Sequence, residues 1–376
     1  MNYGVVVVRP QSKKVKNIGD YIQTIAITQY LDSTIYYIDR EDLYKFESTK
    51  ETKTIINGVY LWNPSHWPPS NNINPLFISI HIFPFAEEKL FTNANIEYWK
   101  KYAPIGCRDL GTLEMFKKHN IPAYFSACAT LTLGDKYIFK GIRHGIYFVD
   151  PYIPLPLFKD GASLKKINIS EIPSTFIFYL NNRKVIKLLA KKDFFSLYGP
   201  NWGHSHYRGL KLMFMKHYHA MQFYKLYSQK FSKELLLNAQ YITHMYRLKQ
   251  ERKENDQDLC NVAEGLIKTY AHAKMVITSR IHAALPCLGI ETPVIFVLNS
   301  DMESSSFKFN SPGRFGGIID FFRIMRIDNH HITSKDEVLS QFNKIGINTS
   351  FKNKDNYKLY SKSLKEKIKE FIGKNN

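Results

Sequence analysis

The sequence feature that most constrains the fold is the segment 275–297, MVITSRIHAALPCLGIETPVIFV. It opens and closes with short apolar runs that are rich in β-branched and aromatic residues and too short for helices. Such runs predict buried parallel strands. The apolar residues between them predict a helix that ends at Gly289, shortly before Pro293. Strand, helix and strand in this order make a βαβ unit, which predicts an α/β fold with a parallel sheet.

The first turn of this unit contains Ser279, Arg280, Ile281 and His282. A loop that leads from the carboxyl end of a parallel strand into a helix is where open α/β sheets bind ligands, often anions. Arg280 and His282 are therefore candidate site residues. The alternative is a solvated arginine and a histidine bonded to a backbone carbonyl, and the spacing alone does not separate the two interpretations.

A second candidate turn lies near the start of the chain. Residues 3–8 predict a buried strand, and a helix is expected from about Asp20 onward. Asp20 is either the N-cap of that helix or a general base that projects into a cleft. Asn17 and Gln23, on either side of it, would supply neutral hydrogen bonds suited to sugar hydroxyls.

A third turn follows the short apolar run that ends at Cys107. Arg108 is expected at the strand end or helix start, and Asp109 is expected to cap the following helix or to pair with Arg108. Further on, Ser126, Cys128 and Thr130 alternate, which predicts an extended segment with these side chains on one face.

An aromatic and proline-rich loop at residues 62–69 contains His66 and Trp67. These side chains would either contact a sugar or pack the loop over the sheet. The prolines make a regular helix or strand there improbable on steric grounds.

Composition limits the partners. Lys and Arg outnumber Asp and Glu by 52 to 33, which gives a net charge of +19 and favours anionic partners. No signature of a nucleic-acid recognition module is present, so nucleic acid is not predicted as a partner. The basic and aromatic stretch 207–237 would either lie against an anionic membrane or form an ordinary amphipathic helix with a solvated basic face.

Four cysteines without a C-x-x-C pair are typical of a protein in a reducing cytosol. Several closely spaced histidines lack a nearby Cys, Asp or Glu pattern that would complete a ligand set, so no metal is predicted. The N-terminus lacks the features of a signal peptide, and no run of about 18 apolar residues occurs. We therefore expect a cytoplasmic protein, with a peripheral position at the inner face of the membrane as the alternative.

The domain organisation is predicted from a polar, glycine-punctuated stretch at 134–145. We expect an N-terminal Rossmann-like domain at 1–140, a C-terminal Rossmann-like domain at 141–330 and a helical tail at 331–376. Within the tail, two amphipathic helices are expected, at 335–344 and 356–372, and the tail is expected to pack back onto one of the domains.

Three motifs carry a resemblance. The run TSRIHAALPCLGIETPVIF resembles the C-terminal signature of the polysaccharide pyruvyltransferase family. Two other stretches are similar to that family: NIGDYIQ at 17–23, and GCRDLGT at 106–112 followed by SACATLT at 126–132. All three occur in the family's order.

The resemblance implies two Rossmann-like domains that face each other across a cleft, the GT-B-like arrangement, with the acceptor on the first and the donor on the second. It implies a phosphoenolpyruvate-dependent enzyme that forms a pyruvate ketal on two hydroxyls of a sugar in a surface polysaccharide, such as a capsule or exopolysaccharide, or in its precursor. The acceptor would be a sugar, with a lipid-linked oligosaccharide as one form. No cofactor and no metal are expected, because phosphoenolpyruvate is itself the co-substrate. The alternatives are a nucleotide-sugar-dependent GT-B glycosyltransferase and a non-catalytic glycan-binding member of the fold.

The resemblance also suggests roles for individual residues. His282 is the expected general acid and Asp20 the expected base. The expected donor-binding residues are Arg280, Arg108, Ser279, Ile281 and Arg314. The expected acceptor-binding residues are Asn17, Gln23, His66, Trp67 and Thr130.

Overall fold

The computed structural model describes residues 2–9, 15–32, 35–60, 63–157, 167–197, 208–248, 254–299 and 315–373. The strands in these ranges are β1 (Asn2–Val7), β2 (Val15–Asn17), β3 (Ile35–Asp39), β4 (Thr52–Tyr60), β5 (Ile73–Ile82), β6 (Ile105–Cys107), β7 (Ala123–Phe125), β8 (Ile146–Val149), β9 (Gln240–Ile242), β10 (Met245–Arg247), β11 (Met275–Thr278), β12 (Val294–Asn299), β13 (Arg323–Asp328) and β14 (His331–Thr333).

The α-helices in the same ranges are α1 (Gly19–Thr28), α2 (Glu87–Leu90), α3 (Asn93–Lys101), α4 (Leu110–Lys118), α5 (Gly134–Tyr137), α6 (Ile172–Ala190), α7 (Asp193–Leu197), α8 (Gly209–Tyr227), α9 (Lys233–Asn238), α10 (Asp256–His272), α11 (Ile281–Gly289) and α12 (Tyr357–Ile372). Within this part of the chain, no helix combines the length and the apolar character needed to cross a bilayer.

Two sheets form a mixed α/β fold, as the sequence predicted. The first has the strand order β3-β1-β4-β5-β6-β7, with all strands parallel. The second has the order β9-β8-β11-β12-β13-β14, parallel except for β14. Numbered by chain position within each sheet, both orders read 2-1-3-4-5-6. The βαβ unit predicted at 275–297 is confirmed as β11, α11 and β12.

In each sheet, the second strand is added on one side of the first strand and the later strands on the other side. The switch point lies between β1 and β4 in the first sheet and between β8 and β11 in the second. Open α/β sheets bind ligands at the carboxyl ends of the strands beside such a point. We call the region at the carboxyl ends of β1 and β4 the first crevice, and the region at the carboxyl ends of β8 and β11 the second crevice. The fold therefore offers two places for ligands.

The two halves of the chain are joined by a ribbon and by a shared core. Strand β2 of the first half pairs antiparallel with β10 of the second, with Asn17 opposite Met245. One hydrophobic cluster contains buried residues of both halves, among them Ile22, Tyr270 and Ala284. Helix α1 packs against both α10 and α11 in this cluster, which brings elements of the two halves together.

The C-terminal helix α12 packs back onto the first half, as predicted. The Ser361 hydroxyl donates to the carbonyl of Leu131 at 2.8 Å, and the Tyr3 hydroxyl donates to the carbonyl of Ile372 at 3.0 Å. The buried Leu364 and Ile368 of this helix belong to the core shared by both halves.

Two local predictions are wrong. Residues 126–130 do not form an extended segment, because Ala127 has a φ of 58° and a 3-10 helix follows at Ala129–Thr132. The helix expected at 335–344 is reduced to a 3-10 turn at Leu339–Gln341. There the Asp336 carboxylate accepts hydrogen bonds from the backbone N–H groups of Val338 and Leu339, which satisfies them in a turn.

Candidate active site

Arg280 lies in the second crevice and is held there by a carboxylate. It follows β11 and is the N-cap residue of α11, and its Nε lies 3.0 Å from Oδ2 of Asp150, the residue after β8. Asp150 is buried, and the same oxygen accepts the backbone N–H of His244 at 3.0 Å. The ion pair orients the guanidinium at the start of a helix, where N–H groups and the helix dipole favour anions.

The neighbours of Arg280 hold this turn in place. The Ser279 hydroxyl accepts the backbone N–H of Tyr152 at 3.1 Å, and the Ile281 side chain is buried in the shared core. Both expected donor-binding residues therefore have structural contacts through their side chains. The backbone N–H of Ile281, at the first position of α11, has no partner within the helix and is suited to bind a ligand.

His282 faces α1 of the first half. Its Nδ1 lies 3.5 Å from Nε2 of Gln23. A Cβ placed on Gly19 would lie only 3.1 Å from Cβ of His282 and 2.9 Å from Nδ1 of His244. A glycine at position 19 is thus what allows the start of α1 and the start of α11 to approach this closely.

Asp20 lies in the first turn of α1 and is not its N-cap, so the capping alternative is not what the structure shows. Its carboxylate accepts from Nζ of Lys16 at 3.0 Å and from Nδ2 of Asn17 at 3.4 Å. Burial acts to raise the pKa of Asp20, but the charges of Lys16 and His282 outweigh it, and the net pKa is lowered. The carboxylate is therefore ionised at neutral pH.

His244 is a site residue that sequence analysis missed. It is buried, and its Nε2 lies 2.6 Å from the hydroxyl of Tyr270. The direction of this hydrogen bond depends on the tautomer of His244: a ring with its proton on Nδ1 accepts at Nε2 from the tyrosine hydroxyl. Burial lowers the pKa of His244 to about 4, which keeps the ring neutral. In that tautomer the ring proton is on Nδ1, which lies beside Gly19 at the junction of the two halves.

Arg108 follows β6 and is almost completely buried, with 1% of its surface exposed. Its Nε lies 3.4 Å from Oδ2 of Asp109. In the described part of the chain, neither Nε nor Nη2 has a hydrogen-bond partner. Leaving buried guanidinium N–H groups unsatisfied is costly, and a bound anion would satisfy them.

Asp109 has the two roles expected of it, cap and ion-pair partner. Its Oδ1 accepts the backbone N–H of Thr112 at 3.0 Å, and its Oδ2 lies 2.7 Å from Nδ1 of the buried His81. Burial acts to raise the pKa of Asp109, but the charges of His81 and Arg108 and these hydrogen bonds lower it overall. The pair with His81 leaves the guanidinium only partly neutralised.

A backbone contact places Arg108 near the second half. Two residues after Arg108, the backbone N–H of Leu110 donates to the carbonyl of Gly316 at 3.2 Å. The 3-10 helix Ala129–Thr132 of the first half packs against α11 of the second half as well as against α1.

The family model described as polysaccharide pyruvyl transferase matches residues 17–301, which is more than half of the chain. The chain belongs to this family. The matched range includes all three motifs on which the resemblance was based. Searches of curated proteins and of solved structures returned no match. Family membership makes the protein a transferase of polysaccharide biosynthesis, with a polysaccharide acceptor as its substrate.

The side chains of the remaining expected acceptor residues are held by contacts within the protein. The Thr130 hydroxyl is buried and donates to Sγ of Cys128 at 3.2 Å. The ring of Trp67 stacks on that of Trp99 at 4.2 Å in the core of the first half, which is the packing alternative for this loop.

His66 is held by the same loop, since its Nδ1 lies 2.9 Å from the carbonyl of Glu41 and its Nε2 lies 2.9 Å from Nδ2 of Asn63. Arg314 lies outside the described residues. The roles of all these residues as ligand contacts remain predictions.

Two aspartates at the start of α10 have structural roles. Asp256-Gln257-Asp258 has the D-x-D pattern through which many nucleotide-sugar enzymes bind a metal. Here Asp256 accepts the Tyr21 hydroxyl at 2.8 Å, and Asp258 forms the capping box at the start of α10. Within the described ranges, no group of three or more His, Cys, Asp or Glu residues is arranged to hold a metal.

Sequence analysis missed Asp150 as well as His244, and only Asp150 has a local sequence signal. Asp150 follows an apolar strand, which is the signal that identified Arg108 and Arg280, so the sequence contained the information to find it. His244 lies in the short connection between two three-residue strands, β9 and β10. Its role depends on Tyr270, which is 26 positions away and can be recognised only in the folded chain.

Proposed function

We propose that this protein transfers the enolpyruvyl group of phosphoenolpyruvate to two hydroxyls of one sugar of a polysaccharide or its precursor, forming a pyruvate ketal. The observation that carries the proposal is the presence of two differently held arginines. Arg280 is oriented by Asp150 at a helix start, and Arg108 is buried with guanidinium N–H groups that lack a described partner. Phosphoenolpyruvate has a phosphate and a carboxylate, so it matches two cationic contacts.

The proposed chemistry begins with proton transfer. His282, kept protonated by the Asp20 carboxylate, donates a proton to the methylene carbon of phosphoenolpyruvate, and positive charge develops at the carbon that bears the phosphate. One sugar hydroxyl forms a bond to that carbon and loses its proton to the site. The bond to phosphate then breaks, and a second hydroxyl closes the ketal as its own proton is released. Inorganic phosphate is the leaving group.

Asp20 could act in this scheme either as a general base or as a charge that stabilises protonated His282. Its lowered pKa makes it a weak base, so abstraction of a hydroxyl proton is a poor use of it. Its contact with Lys16 and the influence of His282 on it favour an electrostatic task instead. We therefore propose that Asp20 holds His282 in the charged form, and that the neutral His282 left after the first step takes up the hydroxyl proton.

The acceptor sugar is proposed to lie against the first half. Asn17 and Gln23 lie beside Asp20 and His282 and offer neutral donors and acceptors. Strand β4 has an irregular register between Ile56 and Gly58, next to Gln23, and irregularities of this kind are common beside active sites. The proposed Nδ1 proton of His244 would add one more donor at the junction of the halves.

We further propose that transfer proceeds without a divalent metal. Two arginines and the start of α11 would neutralise a single phosphate as it leaves. Turnover should then be unchanged when a chelator is added. Loss of turnover in chelator, with recovery on addition of magnesium or manganese, would contradict this part of the proposal.

The reaction is tested by incubating the protein with phosphoenolpyruvate and a polysaccharide or oligosaccharide acceptor. Phosphate release and the mass of the acceptor are measured together. The proposal predicts phosphate release with a matching gain of one pyruvate ketal on the acceptor. Transfer of a glycosyl unit from a nucleotide sugar, without any reaction of phosphoenolpyruvate, would overturn it.

A further inference from the structure

Helices α6 and α8 of the second half expose an unusual number of apolar side chains. Most of the large, exposed apolar side chains in the described part of the chain lie between residues 167 and 214. They are Ile167, Ile169, Ile172, Phe176, Ile177, Leu180, Leu188, Leu210, Met213 and Phe214. A concentration of this kind on a protein surface marks an interaction site.

The exposed side chains of α6 form a row on one face. Ile172, Phe176 and Leu180 are spaced four residues apart, so they lie along the same side of the helix. Phe176 and Ile177 are each 59% exposed, whereas Val185, Ile186 and Leu189 of the same helix are buried in the second-half core. Residues 172, 176, 177, 180 and 188 therefore define an outward face of α6, opposite to the face that the core covers.

The same helix presents positive charge without any negative charge. Neither α6 nor α8 contains an Asp or a Glu. Lys184 continues the row of Ile172, Phe176 and Leu180 at the same four-residue spacing, and Arg183 and Lys187 are exposed beside it. Apolar and basic side chains thus share one exposed surface.

We propose that the outward face of α6 docks onto an anionic phospholipid bilayer. Apolar side chains of such a helix enter the boundary between headgroups and acyl chains, while Lys and Arg side chains contact the lipid phosphates. Charge complementarity favours a bilayer over a second copy of the chain, because two copies would bring identical basic faces together. The proposal does not rest on the reaction proposed above.

The test measures co-sedimentation of the full-length protein with phosphatidylcholine vesicles that either contain or lack phosphatidylglycerol. We expect binding to the anionic vesicles that weakens as salt is added, and little binding to the neutral ones. A double variant, Phe176→Ser with Ile177→Ser, should bind the anionic vesicles at least about tenfold more weakly. A triple variant, Arg183→Glu with Lys184→Glu and Lys187→Glu, should show a loss of similar size.

Matched control variants test whether binding depends on the outward face of α6 or on any exposed apolar or basic side chain. Ile142→Ser with Leu359→Ser removes two other exposed apolar side chains, and Lys100→Glu with Lys101→Glu and Lys117→Glu changes the net charge as the triple variant does. Both controls should bind like the wild type, and all variants should keep their melting temperature because the altered side chains are exposed.

Three results would overturn the proposal. These are equal vesicle binding by the Phe176→Ser, Ile177→Ser variant and the wild type, equal binding to neutral and anionic vesicles, and absence of vesicle binding by the wild type. A dimer in solution that the same double variant abolishes, with no vesicle binding, would assign the face to a second copy instead.

Discussion

The two crevices have the same strand order and different chemistry. In the second crevice, the strand ends place a charged pair, Arg280 with Asp150, at the start of α11. At the first crevice, Thr24 of α1 bonds to the carbonyl of Val6 in β1, and α1 carries the amide side chain of Gln23. Asn57 of β4 donates to the Gln23 carbonyl at 3.2 Å. Identical topology thus supplies a cationic place and a largely neutral, hydrogen-bonding place.

The comparison shows that topology determines where the ligands bind and that side chains determine which ligands they are. Two crevices that meet at Gly19 suit a transferase, because an anionic donor and a sugar acceptor need different surroundings a short distance apart. Asp20 and His282 come from different halves, and the charge of His282 helps to lower the pKa of Asp20 at this junction. Changes on the two sides should therefore have different effects.

The largest effect is expected at the junction itself. His282→Ala should lower turnover by about a hundredfold or more, because the proposed proton donor is lost. The fold should be kept, and phosphoenolpyruvate should still bind. Turnover measured with saturating donor checks this, and a near-normal rate for His282→Gln would exclude His282 as the general acid.

The second-largest effect is expected at Arg108 in the first half, where donor binding and thermal stability should respond differently. Arg108→Met should weaken phosphoenolpyruvate binding by about 10- to 100-fold through loss of charge-assisted hydrogen bonds. Its melting temperature should change little, because a buried cation with unsatisfied N–H groups is removed while the Asp109 carboxylate keeps its contact with His81.

Arg323→Met is the matched control for that variant. The Arg323 guanidinium lies 2.9 Å from the Asp336 carboxylate, outside the proposed site. This variant should lose stability and leave donor binding unchanged. A lower melting temperature for Arg108→Met, with normal donor binding, would show that Arg108 has a structural role only.

A smaller effect is expected from Asp20→Asn, which removes the charge that favours protonated His282. Turnover should fall by about tenfold, and its pH profile should shift toward lower pH. Because the folded-state pKa of Asp20 is lowered, its contribution to stability is present above the ordinary value of 3.8 and is lost as pH falls further. Melting temperature measured beside turnover separates the two effects, and an unshifted pH profile would contradict the electrostatic role.

The smallest effect is a pH dependence of stability. Burial lowers the pKa of His244 to about 4, so the unfolded chain binds more protons than the folded one between about pH 6.5 and 4. The free energy of unfolding should therefore decrease as pH falls through this range. His244→Gln should flatten the decrease in part, and thermal unfolding at several pH values would measure it.

His219→Gln is the control for that measurement, since burial also lowers the pKa of His219 to about 4. It should flatten the same decrease and leave turnover unchanged, whereas His244→Gln should also lower turnover. Equal turnover in the two variants would remove His244 from the site.

Much of this arrangement was predictable from local signals. Apolar runs followed by charge located β6 with Arg108 and β11 with Arg280, because a buried strand end leaves its next residues at the sheet edge. The 3-10 helix Ala129–Thr132 was not predictable from alternation, because the positive φ of Ala127 is imposed by packing. Pairs such as His244 with Tyr270 require knowledge of which elements meet, and single-sequence patterns do not contain it.

The measurement that tests the central claim most directly is calorimetric titration of the protein with phosphoenolpyruvate, without acceptor. If the second crevice holds the donor, the wild type and Arg323→Ala should bind it alike, and Arg280→Ala should bind about 10- to 100-fold more weakly. A nucleotide sugar should give no comparable binding. Equal phosphoenolpyruvate affinity in wild type and Arg280→Ala, or binding of a nucleotide sugar in its place, would contradict the assignment of the second crevice to phosphoenolpyruvate.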